Sequence, residues 1–200
     1  MAGSTASPRR TQAQRREATR ALLLDAAIDQ LVEAGLAGFT TSEVCRRAGV
    51  SQGALFKHFD TKATLLAMMI GHLFEALRTE SEAVLLELGD AAGIRQGVDM
   101  LWSRMFDPRV AAAFELYAAA RSDAELRAVL EPVVEAHSAR VYDFAANMFP
   151  DVPAERLFAF ADMVFLSIQG LVLNQLAMPD QRQYNRVRGL LNEFVEFSLR

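Results

Sequence analysis

Apolar residues recur three and four apart along almost the whole chain, and no run alternates apolar with polar positions. That pattern predicts an all-α protein. In the first helix, from about Thr11 to Ala34, Leu23, Ala27, Leu31 and Ala34 make one buried face. Gly35 and Gly38 are expected to end it. Thr40-Thr41-Ser42-Glu43 opens a second helix with the spacing of a capping box, and Gly49 stops it after two turns. Val44, Cys45 and Ala48 fall on its inner face, while Arg46 and Arg47 are expected to point away. Ser51 can cap a third helix, expected to end near Phe59. Asp60 or Thr61 can cap a fourth, running from Lys62 through Leu65, Met69, Leu73 and Leu77 to about Leu88.

Beyond Gly89 the same periodicity predicts helices at 91–105, 109–121, 123–148, 154–178 and 181–199. Pro108, the Ser122-Asp123 step, Pro150, Pro153 and Pro179-Asp180 punctuate them. Pro132 falls inside the third of these and is expected to kink or shift it. There is no internal repeat and no long linker. The expected organisation is a disordered basic arm (1–10), a small helical headpiece (11–60) and a larger helical body (61–200). The fourth helix would be the strut between headpiece and body.

Composition adds a constraint. Half of the 200 residues are apolar, enough for a sizeable core and too many for a disordered chain. The net charge of −4 is unevenly spread. Residues 1–62 carry nine Lys/Arg against six Asp/Glu, and residues 63–200 twelve against nineteen. A basic head on an acidic body suggests a polyanionic partner for the head alone. Cys45, the single cysteine, can build neither an internal disulfide nor a zinc site by itself, so a reducing cytoplasm is the expected compartment. On the inner face of its helix it reads as a core filler. His58, His72 and His137 lack metal-ligand spacing, and neither a metal nor a cofactor is expected. The start MAGSTASPRRTQAQRR has no apolar core of signal-peptide type, though its Arg- and Ser-rich make-up superficially suits a transit peptide. Residues 157–178 are long enough to span a bilayer, but Asp162, Gln169, Asn174 and Gln175 interrupt them. Burial in protein is the expectation there.

Two short helices joined by a Gly-containing turn are the physical content of a helix-turn-helix, and TTSEVCRRAGVSQGALFKHF fits that description. Val44, Ala48, Val50, Leu55 and Phe59 would pack the helices together. Gln52, Gly53, Ala54, Lys57 and His58 would then face a DNA major groove. By chemistry, Gln52 can pair bidentately with adenine, Lys57 can reach guanine and Ala54 can pack on a thymine methyl.

The same stretch resembles the TetR family of bacterial repressors. The resemblance rests on Thr40-Thr41, Val44, Ala48-Gly49-Val50-Ser51, Gly53, Leu55, the aromatic Phe56, His58-Phe59 and Lys62, and covers about residues 11–66. It implies that Thr41 and Lys62 grip phosphates. It also implies that Ser42, Gln52, Gly53, Ala54, Lys57 and His58 face bases or nearby phosphates. Thr40 and Ser51, which start the two helices, are counted with them. Phe56 stands where the family usually has a tyrosine whose phenol reaches a phosphate; Phe56 cannot make that bond. The tail arginines Arg9, Arg10, Arg15, Arg16 and Arg20 are candidates for backbone or minor-groove contact.

A palindromic site needs a two-fold protein, so the body is expected to form a homodimer. The last two helices are the candidate interface, with Gly170, Leu173, Leu190, Leu191, Phe194 and Phe197 as its residues. The resemblance further implies a small-molecule pocket in the body. Trp102, Phe106, Phe114, Tyr117, Arg121, Tyr142, Asp162, Phe165 and Gln169 are candidate lining, suited to an apolar or aromatic effector. The expected function is a dimeric DNA-binding repressor, released from its palindromic operator by that ligand. Activation or ligand-independent regulation stays open. An enzyme is disfavoured, because no nucleophile–base pair, metal cluster or phosphate-cradling loop is legible. A protein–protein adaptor using the same helices is the remaining class, separable by the salt dependence of DNA binding.

Overall fold

A computed structural model describes residues 11–88, 93–148 and 150–198, with side-chain surroundings described for 11–81, 99–147 and 150–194. Among the described residues every regular element is helical. They are α1 (Gln12–Gly38), α2 (Thr41–Ala48), α3 (Gln52–Leu55), α4 (Lys62–Leu88), α5 (Gly93–Met105), α6 (Pro108–Ala120), α7 (Ala124–Met148), α8 (Ala154–Ala177) and α9 (Gln181–Ser198).

The helix starts follow from local chemistry. Thr11 and Gln14 cap α1 reciprocally: each side chain satisfies the other residue's backbone N–H. Thr40 caps α2 by accepting from the Glu43 N–H, Ser51 caps α3 through Ala54, and Thr61 caps α4 through Thr64. Asp107 caps α6, whose first residue is Pro108, where a missing N–H costs nothing. Only half of the expected box at α2 forms. The Glu43 carboxylate turns instead to two arginines, Arg46 at 2.6 Å and Arg47 at 2.8 Å.

Two departures concern boundaries. α1 does not stop at Ala34 but continues to Gly38 through a break at Gly35, whose φ of 63° only glycine adopts cheaply. The third helix is shorter than its pattern suggested. It ends at Leu55, and Phe56–His58 form a turn that still carries Phe59 into the core. The helix at 124–148 runs continuously across Pro132.

The buried side chains form one continuous core that follows α4. At one end Leu23, Leu24, Ala27 and Leu31 of α1 close over Phe39, Val44, Leu55 and Phe59. At the other end Trp102, Met105, Leu116, Leu126 and Ile168 are buried. Leu65, Leu66, Met69, Ile70 and Leu73 run along α4 between them. That helix packs along α7, with only 3.2 Å between a Cβ at Gly71 and Val133 Cγ1. α1 also packs on α6, a second connection between the two ends besides α4 itself.

Candidate DNA-binding surface

The turn between α2 and α3 is built on Gly49, at φ 68° and ψ 31°, and both the Gly49 and the Val50 N–H return to the Cys45 carbonyl. This left-handed step reverses the chain and doubly satisfies one carbonyl in the last turn of α2. Leu55 and Phe59 are fully buried and pin the α3 segment to the headpiece. Its other side stays in solvent: Ser51, Gln52, Gly53 and Lys57 are exposed, Ala54 and His58 half-buried, and Phe56 is 44% exposed. Thr40 and Ser42 at the start of α2 are exposed and Thr41 is half-buried. Residues 52–59 are thus one helical turn and a following turn, held by their apolar residues and presenting their polar ones.

These residues are already interacting. The Gln52 carboxamide donates to the Ser42 hydroxyl at 2.5 Å, joining the first turns of α3 and α2. Lys62, the first residue of α4, donates to the Phe39 carbonyl at 2.8 Å and lies 5.3 Å from the Phe39 ring centroid, which fixes its ammonium beside the junction of α1 and α2. Arg20 sits 5.9 Å from the Phe59 ring centroid. His58 is held below the usual histidine range by burial first, then by the charges of Arg16 and Arg20. Burial pushes the Cys45 thiol up, away from the reactive thiolate.

Arg47 corrects an expectation. It does not point away but bridges Glu43 on its own helix and Glu33 of α1, at 2.8 and 2.6 Å. Arg46 does point out, paired with Glu43. Arg15, Arg16 and Arg20 lie in the capped N-terminal turns of α1 and not in a flexible tail. Arg9, Arg10 and the rest of the arm lie outside the described residues.

In the body, the candidate ligand residues do not form one group. Trp102 is buried with Phe106 beside it, their ring centroids 6.2 Å apart. Tyr184 of α9 stands edge-on to both, at 5.6 and 5.2 Å. The Trp102 indole N–H is buried without a hydrogen-bond partner. Phe114 is core, and its neighbour Tyr117 lies in apolar surroundings that push its phenol up to about 12. Tyr142 donates to the Asp162 carboxylate at 2.5 Å on the outer side of α7 and α8, its ring tilted against Phe158 with centroids 4.6 Å apart. Arg121 is exposed at the end of α6; Phe165 and Gln169 are half-buried. Tyr184 was not among the expected residues, and neither was the stack of Phe74 on His137, 4.0 Å between centroids across α4 and α7. Each meets its partners across a long sequence separation, so no local pattern signals them.

The expected interface residues fall mostly on one exposed face. Gly170 has nothing within 4 Å of a built Cβ, and Leu173, Leu190 and Phe194 are 45%, 69% and 41% exposed. Leu166 and Leu176 extend that strip along α8. Leu191 departs from the expectation: it turns inward and packs in the core of the chain. The Phe197 side chain lies outside the described residues. α8 is long and apolar enough to cross a membrane by composition, with a mean hydropathy of 1.7. Its inner residues Leu157, Val164, Ile168, Leu171 and Val172 pack into the body. No group of His, Cys, Asp or Glu among the described residues could hold a metal ion.

Comparison with known proteins agrees with this geometry. Residues 23–69 match the family model of bacterial regulatory proteins of the tetR family, and residues 88–196 match a tetracyclin repressor-like C-terminal domain. An uncharacterised HTH-type transcriptional regulator of Mycobacterium bovis is 34% identical, over 86% of this chain and 93% of its own. The HTH-type transcriptional regulator CymR of Pseudomonas putida is 33% identical, over 90% of both. A TetR-family regulator from Mesorhizobium loti shares the fold at a TM-score of 0.70 and 18% identity, over 92% of this chain and 96% of that one. With a helix-turn-helix at its head, a helical body behind it and relatives that match nearly end to end, the chain belongs to the TetR family of DNA-binding transcriptional regulators.

Proposed function

We propose that the chain is a dimeric repressor that binds a palindromic operator and releases it when a small apolar or aromatic ligand enters the body. The observation that carries the DNA-binding part is the outer side of α2 and α3. Gln52, Gly53 and Lys57 are exposed there over the buried Leu55 and Phe59, with Thr40, Thr41, Ser42 and Lys62 at neighbouring helix starts. Helix starts favour phosphate, and the exposed amide and ammonium suit base edges. DNA contact by these residues, and the division into headpiece and body, are parts of this reading.

The exposed strip of α8 and α9 supports the dimer. Leu166, Leu173, Leu176 and Leu190 would otherwise stand in water, and pairing two copies about a two-fold axis buries them. Gly170 in the middle of the strip lets two backbones approach closely. The ligand reading is supported by Trp102: a buried indole N–H without a partner is costly, and a bound acceptor atom would satisfy it. Ligand would favour a body conformation that sets the two headpieces at the wrong spacing, transmitted by α4 and by the α1–α6 contact.

A reporter driven by the operator gives the sign. For a repressor, deleting the regulator raises expression and supplying it restores silence. A fall on deletion would assign activation instead.

A further inference from the structure

The bond between Ser42 and Gln52 joins two residues that the fold would otherwise leave as independent, exposed side chains. Ser42 is in the first turn of α2 and Gln52 is the first residue of α3. The Gln52 Nε2 to Ser42 Oγ distance is 2.5 Å across the outer side of the helix-turn-helix. Neither side chain caps a helix or packs in the core: the caps are Thr40 and Ser51, and the core beneath is Val44 and Leu55.

We propose that Ser42 is a positioning residue for adenine recognition, holding the Gln52 carboxamide with its remaining N–H and its carbonyl oxygen directed at a base in the major groove. The inference rests on the DNA-binding reading above and assigns the base it prefers. A carboxamide has two N–H donors and one carbonyl acceptor. One N–H is engaged by Ser42, which leaves one donor and one acceptor. Adenine offers the complementary pair in the major groove, an N7 acceptor and an N6 donor. Guanine offers two acceptors there, and the Gln52 carbonyl would face one of them.

The bond also removes freedom before DNA arrives. A long, exposed glutamine samples many rotamers and loses them on binding. Gln52 tethered to Ser42 has lost most of them in the free protein. Ser42 therefore acts through Gln52. Its effect should appear at the one base pair per half-site that Gln52 reads and leave phosphate contacts unchanged.

The test is selection from a duplex library carrying the operator with each half-site position randomised, using the full chain and its S42A, S42T and Q52A variants. The salt slope of affinity is measured in parallel. Wild type should select adenine at one position in each half-site. Q52A should lose that preference, roughly ten-fold, the worth of one bidentate pair. S42A should weaken it several-fold at that same position with an unchanged salt slope, and S42T, which keeps the hydroxyl, should restore it. An S42A profile identical to wild type would overturn the inference while leaving the operator reading intact. So would a preference altered at a different position, which would make Ser42 a direct reader. Loss of affinity for all sequences alike would overturn it too, making Ser42 a phosphate contact. Wild-type protein that selects no sequence at all would overturn the operator reading itself, and this inference with it.

Discussion

The Glu115 carboxylate on α6 accepts a hydrogen bond from the backbone N–H of Leu36 at 2.7 Å. The two residues are 79 positions apart, on α6 and α1, and the N–H lies immediately after the helix break at Gly35. The break and the bond belong together. A positive φ at Gly35 takes the chain out of the helix, and a body side chain caps the backbone that follows. A Cβ at Gly35 would lie 3.1 Å from a Glu115 oxygen, so the close approach also depends on glycine.

Glu115→Ala should therefore cost about 1 kcal/mol, the order of an exposed charge-assisted hydrogen bond. Gly35→Ala should cost about 1–2 kcal/mol from the left-handed conformation alone, plus crowding against Glu115. The two should be coupled, because removing the carboxylate relieves the crowding. In urea unfolding, Gly35→Ala is expected to cost less in a Glu115→Ala background than alone. Simple additivity would show that the contact is not made.

Glu43 gives the headpiece an acid limit. Hydrogen bonds from Arg46 first, then Arg47, hold its carboxyl down from 4.5 to about 2. A depressed folded value means a contribution that is present above the unfolded value and is lost as pH falls through the folded one. The window runs from about pH 4.5 to about pH 2. The Glu43 site is solvent-screened, so the effect is modest in size. Glu43→Gln should lower the thermal midpoint modestly at pH 7, leave it unchanged near pH 2 and so flatten the acid limb across that window. An unchanged acid limb would show that the Glu43–Arg47–Glu33 chain of charges does not survive in solution.

Phe56 is 44% exposed beside the polar residues of α3. Replacing it with tyrosine adds one hydroxyl where a phosphate is expected, with no change to the core. Phe56→Tyr should tighten binding roughly three- to ten-fold on specific and non-specific duplexes alike, the worth of one added hydrogen bond. Titration of both duplexes at fixed salt is the measurement. Unchanged affinity would place Phe56 away from the backbone.

Leu173 and Leu190 are exposed on the α8–α9 strip, and Leu22 is similarly exposed on α1. Leu173→Glu or Leu190→Glu should turn the dimer into monomers in sedimentation and weaken operator binding by at least ten-fold, because each half-site then binds alone. Leu22→Glu, far along the chain from the strip, should leave the dimer intact. A dimer that survives both α8–α9 changes would place the interface elsewhere.

Much of this was legible in the sequence because it is local. The caps at Thr40 and Ser51, the turn at Gly49 and the buried pair Leu55 and Phe59 are all set within a few residues of one another. The same short range makes the exposed set Gln52, Gly53 and Lys57 readable, since it is what remains when the packing residues are removed. What was not legible depends on tertiary partners. Glu43 satisfies the capping-box spacing, yet two arginines draw it away from the backbone, and Arg47 is recruited by Glu33 on another helix. Leu190 and Leu191 look alike in sequence; the turn of α9 against the body leaves one 69% exposed and buries the other. Tyr184 joins Trp102 from more than eighty residues away, and no periodicity announces such a meeting.

The most direct test of operator binding by a two-fold protein is to pass fragments of the source genome over the purified chain at physiological salt and sequence what is retained. The expected result is one enriched inverted repeat, its half-site centres separated by about 10 base pairs or a multiple of that. The genes beside it would then name the chemistry of the effector. Retention without any common sequence would contradict it, leaving a basic headpiece that holds DNA but reads none.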